Sequence, residues 1–231
     1  MTWQIFEQAA ADYEAWYATP RGQRADAAER RLLLHLLAAF HDPRSAVEIG
    51  CGTGHFADLL VQHGLGIIGL DRAPAMLIEA RRRFPSLPVV LGDAHRLPFR
   101  DASTDLALFV TTLEFLEDPM RALREAVRVA RQGVVVIALN RHSLGGVSRR
   151  WGPQRRRALL GQARDYSSEE LRRGLKQAAG ARLDEAWSAS TLIPCGLSQL
   201  ISSIAFGDVI GSAIRLKLQR PGFLDNRSRG Q

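Results

Sequence analysis

The chain has 231 residues, 46% hydrophobic and 24% charged, the profile of an ordinary globular protein long enough for one domain with additions. That excludes collagen, general disorder and disulfide-stapled miniature folds, and the two cysteines, Cys51 and Cys195, supply neither a disulfide framework nor a four-thiolate zinc site. The net charge of +7 favours an anionic partner and says nothing about fold.

From Trp3 to Phe40 apolar residues recur at helical spacing, with Thr19-Pro20-Arg21-Gly22 as a break, so residues 1–42 read as a helical cap of two helices. Ala46 to Ile49 is a strand ending in Gly50-Cys51-Gly52-Thr53-Gly54, and a helix from His55 to His63 follows. Leu65 to Leu70 is a second strand closed by Asp71, and Pro74 opens a helix to about Phe84. Pro88–Leu91 and Thr104–Val110 are further strands; Asp118-Pro119 starts a helix to about Ala130. Val134–Leu139 is a β-branched run of the kind buried on both faces of a parallel sheet. A basic, irregular connection spans 141–166, and Ser167 with Glu170 forms a capping box for a helix to about Ala179. Arg182–Ser190 and Ser212–Leu218 are the last strands, and 220–231 is a loose tail. Alternating strands and helices predict an α/β fold: an open, mostly parallel sheet with helices on both faces.

Chemistry concentrates behind the first three strands. Alternating glycines between a strand and a helix let a ligand press on the backbone. A dinucleotide fingerprint would need Gly or Ala where His55 stands, and no Gly-Lys-Ser/Thr follows to make a phosphate loop. Asp71 sits at a strand end where a carboxylate can accept from both ribose hydroxyls, and Asp93 follows the next strand, where it can take an exocyclic amino group beside the Ala94 N–H. A capped turn is the plain structural alternative for both acids. Together they describe a pocket for an adenosine whose third substituent is not a pyrophosphate.

These segments, Val47-Glu48-Ile49-Gly50-Cys51-Gly52-Thr53-Gly54, Gly69-Leu70-Asp71, Gly92-Asp93-Ala94 with Leu97-Pro98-Phe99, and Asp105–Phe109 leading to Glu114–Pro119, resemble the ordered motifs of class I S-adenosylmethionine-dependent methyltransferases. The resemblance is strongest to the small-molecule, ubiquinone/menaquinone-type branch, over about Tyr13 to Leu139. It implies a Rossmann-like sheet of seven strands with a reversed last hairpin, a methyltransferase domain over 43–219, and S-adenosylmethionine across the strand ends. It also implies roles: Gly50, Gly52 and Gly54 lining the methionine part, Glu48 on its amino group, Asp71 on the ribose, Met76 on the adenine face, Asp93 and Ala94 at the adenine edge, Thr111 at the methionine end. Ala73 departs from the Ser that often caps the next helix in relatives, which leaves Pro74 to start it.

The reaction so implied is methyl transfer to a small-molecule acceptor by in-line displacement, in which alignment does most of the work. Glu114 is a candidate general base or a helix-entry carboxylate; Tyr13 is a candidate catalytic and cofactor-binding residue or core packing, with Trp16 and Tyr17 on the same helix. His55 and His95 lack metal-ligand spacing, so no metal is expected. Arg149, Arg150 and Arg155–Arg157 around Trp151 either recognise an anionic substrate or form a solvated helix, and nucleic acid is not the expected partner. Ser188 to Gly207 carries no charge over twenty residues. It is too polar for a membrane span and fits an apolar insertion over 188–210, a helix buried against the protein, a lid or a partner, with contact to a lipid-like substrate as the functional alternative. A homodimer is a further partner to consider. The start, Met1 to Glu7, has no signal-peptide pattern, and a cytoplasmic location is expected. The alternatives are a non-catalytic S-adenosylmethionine-binding protein and, further off, an NAD-dependent oxidoreductase.

Overall fold

The computed structural model describes residues 3–143, 163–190 and 209–217. The N-terminal cap is three helices rather than the expected two: α1 Trp3–Ala9, α2 Tyr13–Tyr17 and α3 Pro20–Leu37. The supposed break at Thr19 to Gly22 is the N-terminus of α3 itself. Thr19 accepts from the Gly22 N–H at 3.0 Å and Pro20 takes the first helical position, where a missing N–H costs nothing.

Seven strands follow, β1 Ser45–Ile49, β2 Gly66–Asp71, β3 Val89–Leu91, β4 Thr104–Val110, β5 Ala130–Leu139, β6 Leu183–Ser190 and β7 Val209–Leu216. They form one sheet in the order β3-β2-β1-β4-β5-β7-β6. All neighbours pair in parallel except β7, which runs antiparallel to β5 and β6. This is the Rossmann-like arrangement with a reversed last hairpin. The helices between are α4 Ala57–Gln62, α5 Pro74–Arg83, α6 Pro119–Val129 and α7 Ser168–Ala179, the last opened by the predicted Ser167/Glu170 capping box.

The period of two along the central strands feeds two cores. On β4, Ala107 and Phe109 face α6 and α7 with Leu123, Leu171 and Leu175. Leu106, Leu108 and Val110 face α3 and α4 with Leu33, Leu36 and Leu60. All seven β4 residues are buried, as a strand covered on both sides must be. At its N-terminal end Asp105 accepts from the Arg44 and Ser45 N–H groups at 2.9 and 3.0 Å and pairs with Arg131 at 2.9 Å, which ties β1 to β4.

The reversal of the strand order at β1 and β4 leaves a crevice above their C-terminal ends, the place where open parallel sheets take ligands. The expected insertion over 188–210 is shorter than supposed, because Ser188–Ser190 belong to β6 and Val209 and Ile210 to β7. The rest of it, and the Arg149–Arg157 cluster, lie outside the described residues. The described ends of the basic connection are pinned to the body: the Tyr166 N–H donates to the Leu139 carbonyl at 2.9 Å and the Arg164 N–H to that of Glu114 at 3.0 Å. Among the described residues, no helix is long and apolar enough to cross a membrane.

Candidate functional site

The crevice holds a pocket floored by the β1 loop. Gly50 and Gly52 are both left-handed, at φ +76° and +53°. A Cβ on Gly50 would lie 2.2 Å from the Thr112 methyl, so this glycine serves close packing, while a Cβ on Gly52 would project into open space with only the Met76 sulfur at 3.9 Å. Gly52 is therefore the position whose missing side chain leaves room for a ligand. Gly54, expected to line the pocket, instead packs its face against Leu87 and Phe84.

Glu48 at the end of β1 is buried and lines the pocket, and its Oε2 has no hydrogen-bond partner. Burial, then the nearby charges of Asp71 and Asp58, push its pKa up to about 8. A buried acid without a partner is costly unless something cationic reaches it. Asp71 closes β2 beside it and accepts from the Gly52 N–H at 2.8 Å and the Ala73 N–H at 2.9 Å. Thus the acid positions the glycine loop and the turn that leads into α5, and with about four lone pairs against these backbone donors it keeps accepting capacity for a ligand. Burial raises its pKa against the pull of those backbone donors.

Ala73, with no capping side chain, precedes Pro74 as expected, but α1 supplies what sequence spacing could not show: the Ala75 N–H donates to Glu7 at 3.0 Å. Met76, Asp93 and Ala94 line the pocket. The Asp93 carboxylate is engaged by its neighbour, accepting from the His95 N–H at 2.9 Å and meeting His95 Nδ1 at 2.6 Å. Because His95 Nε2 accepts from the Asp118 N–H at 3.2 Å, Nδ1 carries the proton. Asp93 is thereby oriented by a histidine two residues on, and backbone donation, the His95 ring and Arg72 hold its pKa below the usual range although burial opposes them.

Thr111, at the end of β4, is left-handed at φ +48°, unusual for a β-branched residue and typical of strain kept at a functional site. It borders the pocket together with Tyr13. Glu114 does not line it. Its Oε1 accepts from the buried Leu139 N–H at 2.6 Å, so the carboxylate braces the junction of β4 and β5, and the general-base reading lacks the geometry it needs.

The helical cap roofs the pocket with Trp3 and Phe6 as well as Tyr13 and Tyr17. Tyr13 meets Phe6 and Tyr17 edge to face, and Phe6 meets Phe115 with ring centres 4.8 Å apart. His55 fastens the roof to the loop. Its ring stacks on Tyr17 at 3.6 Å and its nitrogens meet Glu14 at 3.1 Å and Asp26 at 2.8 Å. Glu14 also accepts from the Thr53 hydroxyl and pairs with Arg83 at 2.8 Å. Burial raises its pKa, but hydrogen bonds from His55 and Thr53 and the Arg83 charge together hold it below the usual range. Sequence reasoning missed the roles of Thr112, Phe115 and His95 and the His55 latch; for the roof it offered Tyr13, Trp16 and Tyr17 on the first helix. No group of three or more His, Cys, Asp or Glu side chains able to hold a metal occurs among the described residues.

A glycine loop at a sheet's switch point, with an acid behind each of the next two strands, defines a Rossmann-like nucleoside-binding domain. Residues 47–138 match a family model described as a methyltransferase domain. A malonyl-[acyl-carrier protein] O-methyltransferase of Serratia marcescens is 33% identical over 132 residues, 57% of this chain and 49% of that protein. An uncharacterized protein of Mycobacterium bovis is 39% identical over 125 residues, 54% of this chain and 41% of its own length. The chain thus spans half or less of the curated relatives it matches here. Among solved structures, an S-adenosylmethionine-dependent methyltransferase and possible histamine N-methyltransferase of Thermotoga maritima superposes with a TM-score of 0.74 at 28% identity, covering 94% of this chain and all of that one. The domain is a class I S-adenosylmethionine-dependent methyltransferase domain.

Proposed function

We propose that this chain binds S-adenosylmethionine in the crevice and transfers its methyl group to a small-molecule acceptor. The observation that carries the reading is Glu48: a buried acid at the wall of the pocket whose Oε2 has no hydrogen-bond partner, matched to an ammonium group. The open space over Gly52 fits the same ligand. In this reading Glu48 holds the amino end, Gly52 admits the methionine part, Asp71 binds the ribose, Met76 packs on the adenine, and Asp93 and Ala94 read its edge. When bound, the cofactor supplies a sulfonium methyl already activated for displacement.

The chain's own part is alignment and exclusion of water. Thr111 and Tyr13 stand where the pocket meets a second cavity, so they border the point of transfer, and Phe6 and Tyr17 close it from above. Burial raises the Tyr13 phenol's pKa, so it stays protonated near neutrality and acts as a hydrogen-bond donor. The second cavity speaks against a binding protein without catalysis, because an acceptor side filled by bulky residues would have none.

Calorimetric titration with S-adenosylmethionine, S-adenosylhomocysteine and NAD tests the reading. Micromolar binding of the first two and none of NAD is expected; binding of NAD alone overturns it. Methyl transfer to any acceptor separates the enzyme from a binding module.

A further inference from the structure

The side chain of Asp93, the acid offered to the adenine edge, is 41% exposed. A carboxylate that open to water turns between rotamers, so reading a single amino group requires something to fix its plane. Two donors do so, and both fall on one oxygen: Oδ1 accepts from the His95 N–H at 2.9 Å and from His95 Nδ1 at 2.6 Å. Oδ2 is left, with the Arg72 guanidinium 3.7 Å away, beyond hydrogen-bond reach. His95 is itself held. Its side chain is 12% exposed, Nε2 accepts from the Asp118 N–H at 3.2 Å, and its carbonyl accepts from Arg121 Nε at 3.0 Å. A neutral imidazole that accepts at Nε2 carries its proton at Nδ1, so the entry to α6 fixes the tautomer that Asp93 needs. A plain turn would need none of this, because any residue at position 95 has a backbone N–H to close an Asx turn on Asp93. The ring adds a second donor and a tie to α6.

We propose that His95 is a positioning residue for cofactor recognition: it holds Oδ1 of Asp93 so that Oδ2 takes the exocyclic amino group of adenine, and it thereby sets selectivity for adenine over a 6-oxo purine. An oxo group presents an acceptor where the amino group presents a donor, so a carboxylate fixed in that orientation rejects it, whereas a mobile one turns away and discriminates little. This rests on the methyltransferase reading for the identity of the ligand, and adds a residue that acts on it through Asp93.

The test is calorimetry on the full chain with S-adenosylhomocysteine and S-inosylhomocysteine, in which an oxo group replaces the 6-amino group. The wild type should prefer the adenosyl ligand at least tenfold. His95→Phe, which fills the place of the ring without donor or acceptor, should narrow that preference about fivefold by weakening the adenosyl ligand and leaving the inosyl ligand within twofold; the smaller His95→Leu should do the same. His95→Gln, which can still give an N–H to Asp93 and accept from Asp118, should restore most of it. In an Asp93→Ala background His95→Phe should leave the ratio unchanged. Each ratio compares two ligands on one protein, so a loss of folded material does not imitate the result. In a chain that binds S-adenosylhomocysteine, an unchanged ratio in both His95→Phe and His95→Leu, equal weakening of the two ligands, or the same narrowing without Asp93 overturns the proposal and leaves the methyltransferase reading standing. Failure of the wild type to bind either ligand overturns both.

Discussion

Replacing Glu48 with glutamine keeps the shape of the side chain and removes its charge. In the ligand-free protein the carboxyl titrates near 8 instead of 4.5, so between those values the folded state keeps a proton that the unfolded chain releases. The stability this group contributes is whole below pH 4.5 and is lost as pH rises through 8. At about 1.4 kcal/mol per tenfold change in acidity, the loss is at most about 5 kcal/mol. Urea unfolding at pH 5, 7 and 9 should therefore show the wild type weakening more steeply than Glu48→Gln, with the variant gaining on the order of 2–5 kcal/mol relative to it by pH 9. Asp71 titrates in both proteins, so the difference reads Glu48 together with its coupling to Asp71. Binding should report the same group: an ammonium brought to Glu48 stabilises its ionised form, so S-adenosylmethionine should release a proton from the wild type at pH 7 that the variant does not. Parallel pH profiles for the two proteins, or equal proton release measured in buffers of different ionisation enthalpy, would refute the assignment.

The two loop glycines should fail differently. Gly50→Ala drives a methyl into Thr112 and should cost on the order of 2–4 kcal/mol of stability in a denaturant titration, whereas Gly52→Ala, with open space before it, should cost about 1 kcal/mol from its left-handed backbone yet abolish S-adenosylhomocysteine binding. Asp105→Ala should lose about 3 kcal/mol at pH 7 through orphaned backbone donors, with cofactor affinity intact because β4 carries it at the far end from the crevice. Backbone and Arg131 hydrogen bonds lower its pKa against the effect of burial. The wild type should therefore lose that advantage as pH falls below the ordinary carboxylate range, and an unchanged acid transition in the variant would contradict the role. His55→Ala unlatches the roof, so hydrogen exchange in residues 3–17 should quicken about tenfold while α6 and α7 hold; uniform exchange would show that the latch does not fasten it.

Short-range chemistry made the fold legible. Period-two and period-3.6 hydrophobicity, proline at helix starts and the Ser167/Glu170 box each depend on residues within one turn or strand, and the strand–helix alternation from β1 to β6 follows them, while the cap divides into three helices and β7 starts three residues early. The site was legible where its residues lie on those same short segments: Gly52, Asp71, Met76 and Asp93 all follow strand ends in order. It was not legible where partners come from afar. Glu114 has the look of an active-site acid, and only the arrival of β5, with the Leu139 N–H, turns it into a brace. Glu7 capping α5 across 68 positions, His55 joining Glu14 to Asp26, and Glu29 entering a cavity walled by Trp16 and Phe115 have no local signature. The sequence by itself determined the β-α alternation, the glycine loop and its acids, because backbone geometry and capping act locally. Only the tertiary structure decided which carboxylates face ligand and which face backbone, because that depends on which elements the sheet and the helical roof bring together.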